Sequence, residues 1–311
     1  MTEGYTDTPC NIKEILPYVT TDQRIITAEI LQKRLCCFYD TCSFRKHANM
    51  EPDVAAHFLR YIKEQNGMLI LTRCILMELA SRSGVLQKEY VEYIRYIRKS
   101  GLSVFLIYEE DLFSVMEMAF STNGAINHYL CWAVRTLKNP VSTITEMLEK
   151  HRDIEDEVIR GKNLDQRGVY KHFFEAARDH KASGDNLGEE LLAICLHILS
   201  HLPGERDGKF CILTDDKGAA GKIDALFQKT AKQYRGKKIV IYSTPKLVQM
   251  MYREHFLKDR ETINTILRTG NDGNIVVLGT EVFDLRSREI SKSSEELTDL
   301  IMKPNGIQII F

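Results

Sequence analysis

The chain has 311 residues, of which 44% are hydrophobic and 27% are charged, and its formal net charge is -1. This composition predicts a soluble globular protein with one large α/β domain, or a compact domain with an appendage, and excludes a disordered or fibrous chain. Because the net charge provides no general attraction to phosphate, a nucleic-acid partner would have to be bound by local basic patches.

The sequence contains no apolar run of the roughly 18 residues that a membrane span requires, and its N-terminus, MTEGYTDTPC, lacks the basic and apolar regions of a signal peptide. Eight cysteines lie mostly in apolar runs and form no CxxC pair, which favours buried free thiols over disulfides or a thiolate metal site. We therefore expect a cytoplasmic protein without a membrane partner.

Short apolar strands alternate with helical stretches in the first part of the chain. Continuous apolar runs over 35–40, 67–72 and 102–108 predict three strands. Between them, apolar residues at helical spacing predict helices over 52–64 and 89–99, and the stretch CILMELASRSG predicts another. Strands that alternate with helices in this way predict a parallel sheet.

The second part of the chain begins with a polar, mainly helical stretch from about 121 to 183, which predicts an insertion or cap. Alternation then resumes, with strands predicted over 209–216 and 237–244 and helices before and between them. The whole pattern predicts a three-layer α/β/α fold with a mostly parallel central sheet. The runs NIVVLGTEVFDLR and GIQIIF predict a small β-rich C-terminal appendage, so we expect one domain over 1–260 and an appendage over 261–311.

Acidic residues lie at the predicted carboxyl ends of strands and in the helices next to them. They are Asp40, Glu78, Asp185, Glu189, Asp215 and Asp216. Ligands of open parallel sheets bind at this edge, and clustered carboxylates repel each other unless a cation neutralises them. Oxygen ligands suit Mg²⁺ or Mn²⁺, which can activate water and stabilise the leaving oxygen at phosphorus. The pattern predicts metal-dependent hydrolysis of a phosphodiester.

Each acid also has a structural interpretation. Asp40 alone could be a helix cap or turn former, and Asp185 could be the N-cap of the helix that follows it. Glu78 lies in an apolar stretch, where unpaired glutamates are rare. The adjacent Asp215 and Asp216 repel each other after a buried strand. These last three therefore favour function more strongly than Asp40 or Asp185 taken singly.

Basic residues near the acids could hold phosphate groups. Arg45 and Lys46 follow the first strand, and Lys217 follows the second aspartate of the adjacent pair. Each could equally be a solvated surface charge. The stretch EYVEYIRYIRK could stack bases, but helix packing explains it more simply.

Four motifs in order resemble the PIN domain, a family of metal-dependent nucleases that includes many bacterial toxin endoribonucleases. They are YDTCSF, TRCILMEL, SGDNLGEELLAICL, and CILTDDKGA with a following KIVIYST. The resemblance covers roughly 33–120 and 183–255. The helical insertion is longer than the family's usual spacing, and the C-terminal appendage is not part of the minimal domain. Both segments could select substrate, bind a partner or inhibit the enzyme.

The resemblance implies a role for each residue of the site. The family's four acids would be Asp40, Glu78, Asp185 and Asp216. Of these, Asp40 and Asp216 would bind the metal directly, while the other two complete the site or orient the attacking water. Thr41 and Thr214 would be the small hydroxyl residues beside the metal. Glu189 would be an extra or supporting ligand, and Asp215 could exchange roles with its neighbour.

The function that the resemblance implies is an endoribonuclease that uses Mg²⁺ or Mn²⁺ to cut RNA. The setting would be a bacterial toxin–antitoxin pair or phage defence, with a protein inhibitor or activator, and a homo-oligomer is left open. One alternative is a catalytically idle PIN-like module that binds RNA or protein. Another is a structure-selective DNA nuclease, which the lack of an obvious helix-hairpin-helix clamp disfavours.

Overall fold

A five-stranded parallel sheet forms the centre of the molecule. The structure is a computed structural model that describes residues 5–138, 142–204, 208–230, 236–271, 273–281 and 286–311. Its strands are β1 (Leu35–Tyr39), β2 (Gly67–Thr72), β3 (Val104–Ile107), β4 (Lys209–Leu213) and β5 (Lys238–Tyr242). They lie in the order β3-β2-β1-β4-β5. The predicted parallel sheet is therefore confirmed.

A second, antiparallel sheet lies near the C-terminus, as predicted. It contains β6 (Ile275–Glu281), β7 (Arg288–Lys292) and β8 (Ile307–Ile309), in the order β7-β6-β8.

Helices connect and cover the strands. They are α1 (Gln23–Gln32), α2 (Thr41–Ala48), α3 (Pro52–Glu64), α4 (Arg73–Ala80), α5 (Lys88–Lys99), α6 (Leu112–Glu117), α7 (Asn123–Leu137), α8 (Thr143–Lys150), α9 (Arg152–Val158), α10 (Val169–Asp179), α11 (Leu187–Ser200), α12 (Lys217–Thr230), α13 (Thr244–Arg253), α14 (Arg260–Arg268) and α15 (Ser294–Met302). None of the helices in the described ranges combines the length and apolar character that crossing a membrane requires.

Two hydrophobic cores lie on opposite faces of the parallel sheet. One core contains apolar residues of α1 and of α6 to α11, so the helices of the predicted insertion pack on the same face as α11. The other contains residues of α2, α3, α5 and α13. Residues of α14, α15 and the antiparallel sheet belong to that second core, so the C-terminal part packs onto the parallel sheet. Burial on both faces explains why the central strands are continuous apolar runs.

The strand order places β1 next to β4 at the centre of the sheet. From β1 the chain moves outward through β2 to β3, and it then returns to add β4 and β5 on the other side of β1. Tyr39 at the end of β1 is paired with Leu213 at the end of β4, so Asp40 and Thr214 leave the sheet at the same level. This reversal of strand order is the place where open α/β sheets bind ligands.

Candidate active site

Asp40 directly follows β1 and is the N-cap of α2. Its Oδ1 accepts a hydrogen bond from the Thr41 N–H (2.8 Å), and its Oδ2 accepts from Thr214 Oγ1 (2.8 Å) and Cys42 Sγ (2.8 Å). The residue is only 6% exposed. Burial raises the pKa of the Asp40 carboxyl; hydrogen bonds from Cys42 and Thr214 oppose this rise, and the charge of Glu78 adds to it. Asp40 is thus both a helix cap and a fixed, buried carboxyl group.

Glu78 on α4 is joined to Asp40 through a shared neighbour, Thr41. The Thr41 hydroxyl donates to Glu78 Oε2 at 2.5 Å, while the backbone N–H of the same threonine donates to Asp40. The other oxygen of Glu78, Oε1, lies 2.9 Å from Lys181 Nζ. One threonine therefore aligns two carboxylates that come from separate strand–helix connections.

Gly188, in the first turn of α11, allows the Glu78 carboxylate to approach that helix closely. A Cβ atom at this position would lie 2.4 Å from Glu78 Oε1, which is shorter than any tolerable contact. The positive end of a helix dipole favours a carboxylate at such a place. In the sequence this glycine is one residue of the segment GDNLGEELL. Only the folded structure shows that a side chain at this position would clash with Glu78.

Asp185 is linked to Glu78 through Lys181, which forms an ion pair with each of them. Its Oδ2 accepts from the Ala182 N–H (2.6 Å), its Oδ1 accepts from the Leu187 N–H (3.1 Å), and the carboxylate forms an ion pair with Lys181. These backbone contacts order the turn before α11, in agreement with the capping interpretation. The neighbouring acid Glu189 is partly buried in the first turn of α11.

Asp216 is exposed and caps α12. Its Oδ1 accepts from the backbone N–H groups of Gly218 (2.6 Å) and Ala219 (3.1 Å). Its own N–H donates to Thr214 Oγ1 (3.1 Å), and that hydroxyl donates in turn to Asp40. Thr214 therefore links the ends of β1 and β4 as Thr41 links Asp40 to Glu78.

The carboxylate of Asp215 is bound by residues of α2 and α13. Its Oδ1 accepts from the Thr244 N–H (2.7 Å), and its Oδ2 accepts from Thr244 Oγ1 (2.6 Å) and Ser43 Oγ (3.1 Å). Burial alone would raise the pKa of the Asp215 carboxyl, but Lys46, His47 and the Thr244 donors outweigh it, so the pKa is lowered. The chain itself thus satisfies and neutralises this carboxylate.

A buried imidazole extends these contacts. His47 Nε2 lies 3.0 Å from Thr244 Oγ1, and its Nδ1 lies 2.9 Å from the hydroxyl of Tyr39, which contacts the hydroxyl of Tyr93 at 3.0 Å. Burial lowers the pKa of His47 to about 4, so the ring is neutral at pH 7. We call Asp215, Thr244, His47 and Tyr39 the Asp215 network.

The predicted phosphate-binding residues all have partners in the protein. Arg45 is exposed, and its Nη2 donates to the Glu78 carbonyl oxygen at 2.7 Å. Lys46 Nζ lies 3.7 Å from the carboxylate of the Asp215 network, and Lys217 Nζ lies 2.6 Å from a glutamate on β7. Of these three predicted residues, Arg45 is thus the one that contacts a residue of the Asp40–Glu78 pair, through its backbone. The tyrosines at 90 and 93 are buried in α5, which supports helix packing for EYVEYIRYIRK.

Lys181 was not identified from the sequence, yet it lies against two of the predicted acids. It follows the end of α10, its side chain is 4% exposed, and its ammonium group forms ion pairs with Glu78 and Asp185. The only sequence signal is an acid four residues later in a polar stretch. Such a signal is too common to indicate a buried contact.

The six predicted acids do not form one preformed cage. In the ranges that the structure describes, no three Asp, Glu, His or Cys side chains lie close enough together to hold a metal ion by themselves. Asp40 and Glu78 share Thr41, Asp216 is joined to Asp40 through Thr214, and Asp185 is joined to Glu78 through a lysine.

The residues that are brought together fit one kind of metal site. Mg²⁺ commonly keeps several water molecules and is held by one or two carboxylates together with phosphate oxygens of the substrate. Asp40 and Glu78 provide such a pair of carboxylates at the sheet edge. They fit a hydrated Mg²⁺ or Mn²⁺, and they do not fit a soft metal that needs several thiolate or imidazole ligands.

No match to a protein-family model, to a curated protein or to a solved structure was found for this chain. The fold and the site define an open parallel α/β protein with a buried carboxyl group, Asp40, and a half-buried one, Glu78, at the reversal of strand order. The functional argument below rests on that geometry.

Proposed function

We propose that this chain hydrolyses phosphodiester bonds in RNA, using Mg²⁺ or Mn²⁺ at Asp40 and Glu78. The observation that carries the proposal is the sharing of Thr41 by these two carboxylates beside β1 and β4. Holding two acids in this way raises electrostatic energy, which Lys181 relieves at Glu78 and which a bound divalent ion would relieve at both carboxylates. A cation site at this position therefore supplies the physical reason for the arrangement.

The residues of the chain prepare the carboxylates for such an ion. Thr214 and Cys42 hold Oδ2 of Asp40 by hydrogen bonds. The N–H of Thr41 holds Oδ1 of Asp40, and the hydroxyl of Thr41 holds Oε2 of Glu78. Because burial disfavours the charged form of Asp40, a divalent ion would lower the pKa of its carboxyl group and favour the carboxylate. A bound ion of this kind supplies an activated water and neutralises charge at phosphorus.

The substrate side of the proposal rests on Arg45 and on the resemblance to PIN-domain nucleases. Arg45 is exposed, and its guanidinium carries five N–H donors, so it can contact a phosphate near Glu78 while keeping its bond to the backbone. RNA as the substrate, a cytoplasmic toxin or defence role, and a protein inhibitor or activator all follow from the resemblance. They are parts of the proposal.

The test compares Asp40→Asn with a matched control, Asp259→Asn. Asp259 is the exposed N-cap of α14, and asparagine caps helices about as well as aspartate, so both changes preserve a cap and remove a charge. Each protein is incubated with single-stranded RNA, single-stranded DNA and duplex DNA, with Mn²⁺ or with EDTA. We expect Mn²⁺-dependent cleavage of RNA by the wild type and the control, and none by Asp40→Asn.

Full activity of Asp40→Asn, or cleavage that persists in EDTA, would contradict the mechanism. Cleavage restricted to DNA would retain the mechanism and replace the substrate. These outcomes separate the chemistry of the site from the identity of the nucleic acid.

A second candidate function is a PIN-like module that binds RNA or protein without cutting. Two observations favour it: three-ligand metal clusters are lacking among the described residues, and Lys181 already neutralises Glu78. It predicts RNA binding of equal strength by the wild type and Asp40→Asn, with no cleavage of any substrate in Mn²⁺.

A further inference from the structure

Lys181 brings a positive charge into the acidic edge. Its Nζ lies 2.9 Å from Glu78 Oε1 and is paired with Asp185, and its side chain is almost completely buried. The ring of Tyr5 lies on the same ammonium group, at 5.5 Å from Nζ to the ring centroid. Burying an ammonium group is costly unless it is well paired. Glu78, Asp185 and the ring of Tyr5 thus form a position that holds a cation, which here is the ammonium of Lys181.

The segment that carries Lys181 is firmly attached to the sheet edge. The side chain of Arg178, in the last turn of α10, is 1% exposed and donates to Asp7 (2.7 Å), Glu109 (3.1 Å) and Glu110 (2.8 Å). Glu109 also accepts from the Cys74 N–H at the start of α4, the helix that carries Glu78. The end of α10 and the start of α4 are therefore held together, which keeps Lys181 within reach of Glu78.

Both oxygens of Glu78 are engaged in this arrangement. Oε2 accepts from Thr41, and Oε1 contacts Lys181. A divalent ion that binds through Glu78 needs one of these oxygens, and it would also meet the repulsion of the ammonium at close range. The metal and the lysine thus compete for the same carboxylate.

We propose that Lys181 is an internal competitor of the metal ion: it occupies the cation position at Glu78 and leaves it when the metal binds. This inference rests on the proposed function, because it requires a metal at Asp40 and Glu78. It assigns a task to the helical insertion, because the lysine next to the site follows its last helix, α10. The insertion thereby sets the metal concentration at which the site is filled.

The competition has two measurable consequences. Because a ligand that must displace an internal group binds with reduced apparent affinity, removing that group strengthens binding. In addition, a Lys181 ammonium that leaves Glu78 loses one of its two buried ion pairs, so we expect bound metal to make it more accessible. The first consequence concerns affinity, and the second concerns the exposure of one amine in the unaltered protein.

Affinity is measured from the electron paramagnetic resonance signal of free Mn²⁺ in titrations of four proteins. They are the wild type, Lys181→Met, Lys181→Arg and the control Lys138→Met, whose lysine pairs with Glu155 away from the site. We expect Lys181→Met to bind Mn²⁺ at least about tenfold more tightly than the wild type, because a close like charge is removed. Lys181→Arg retains the charge, so it should bind as the wild type does, and so should the control.

Exposure is measured in the wild type by acetylation with an amine-reactive ester, followed by mass spectrometry. Lys181 should react slowly without metal and faster in saturating Mn²⁺. Lys171, which is 68% exposed in α10, should react equally in both conditions. This measurement needs no substitution, so it stands even if Lys181→Met folds poorly.

The outcomes separate this inference from the proposed function. Equal Mn²⁺ affinity in the wild type and Lys181→Met, equally tight binding by Lys181→Met and Lys181→Arg, or continued protection of Lys181 in saturating Mn²⁺ overturns the competition and leaves the metal site intact. A lack of Mn²⁺ binding by the wild type and by Lys181→Met overturns the metal site itself, and the inference with it.

Discussion

Two carboxyl groups at the same edge of the sheet, Asp40 and Asp215, are in opposite electrostatic situations. Burial raises the pKa of the Asp40 carboxyl, and Glu78 raises it further. Burial acts on Asp215 as well, but Lys46, His47 and Thr244 more than compensate, and its pKa is lowered. Proximity to a strand end therefore does not decide the role of an acid. What decides it is whether the chain supplies enough cations and donors.

The comparison divides the edge into a compensated part and an under-compensated part. The Asp215 network satisfies its own carboxylate and joins β4, α2 and α13. At the Asp40–Glu78 pair, the cation supplied by the chain is Lys181, which pairs with Glu78. Under the proposed function, the first part serves stability and the second binds an external cation. The following predictions test that division, from the largest expected effect to the smallest.

Removing a compensating cation from a fully buried acid should have the largest effect on stability. Arg178→Met leaves Glu109, which is 0% exposed, without its cation. Because an unpaired buried charge is costly, we expect a loss of about 3–5 kcal/mol in the free energy of unfolding, measured by urea denaturation. The control Arg167→Met removes an exposed pair with Glu117 and should cost less than about 1 kcal/mol. Equal losses in the two variants would refute the role given to burial.

The neutral imidazole of the Asp215 network should make the fold sensitive to acid. The unfolded chain binds a proton at His47 near pH 6.5, whereas burial lowers the pKa in the folded state to about 4. The stability linked to this group is therefore present above pH 6.5 and is lost as the pH falls to 4, by at most about 3 kcal/mol.

Urea denaturation of the wild type and His47→Gln at several pH values measures this effect. Glutamine retains hydrogen bonding and cannot titrate, so the variant should lose less stability than the wild type between pH 6.5 and 4. Parallel curves for the two proteins would mean that His47 does not contribute to the acid sensitivity.

Asp215→Asn removes the charge that Lys46 and Thr244 satisfy. We expect a loss of about 2 kcal/mol in the free energy of unfolding, the usual size for hydrogen bonds to a charged group. Mn²⁺ affinity, measured on the folded protein, should stay close to that of the wild type. Weakened Mn²⁺ binding without loss of stability would instead assign Asp215 to the metal.

The close contact at Gly188 offers the finest test of the site. Gly188→Ala would place a Cβ atom 2.4 Å from Glu78 Oε1 and must displace that carboxylate. We expect about tenfold weaker Mn²⁺ binding, equivalent to about 1.4 kcal/mol. Gly221→Ala in α12 is the matched control, since a Cβ there meets nothing within 4 Å. Unchanged Mn²⁺ binding in Gly188→Ala would show that the position of Glu78 does not matter.

Much of the fold was predictable from the sequence because its central strands are buried on both faces. Their continuous apolar runs were recognised, although the run 102–108 exceeds β3 and the run 209–216 exceeds β4. The C-terminal sheet was also predicted, but α14 and α15 beside it were not separated from it. Both helices and the antiparallel sheet pack into one of the two hydrophobic cores of the parallel sheet. Such long-range packing leaves no local pattern in the sequence.

The site was predictable only in part. Asp40 lies near Glu78, because the adjacent parallel strands β1 and β2 end at the same edge of the sheet. The different roles of Asp215 and Asp216 were not readable, because they depend on the contacts that each carboxylate meets after the strand ends. Lys181 was missed because its partner Glu78 lies about a hundred residues earlier, and a surface lysine has the same local sequence signal.

The central claim is tested most directly by Mn²⁺-dependent hydrolysis of single-stranded RNA by Asp40→Asn and Asp215→Asn, measured per folded molecule. The account predicts a loss of at least about a hundredfold for Asp40→Asn, since several kcal/mol of charge stabilisation at phosphorus would disappear. Asp215→Asn should remain active once its lower stability is taken into account. Retained activity of Asp40→Asn, or an equal loss in both variants, would contradict the division of this edge into a catalytic and a structural part.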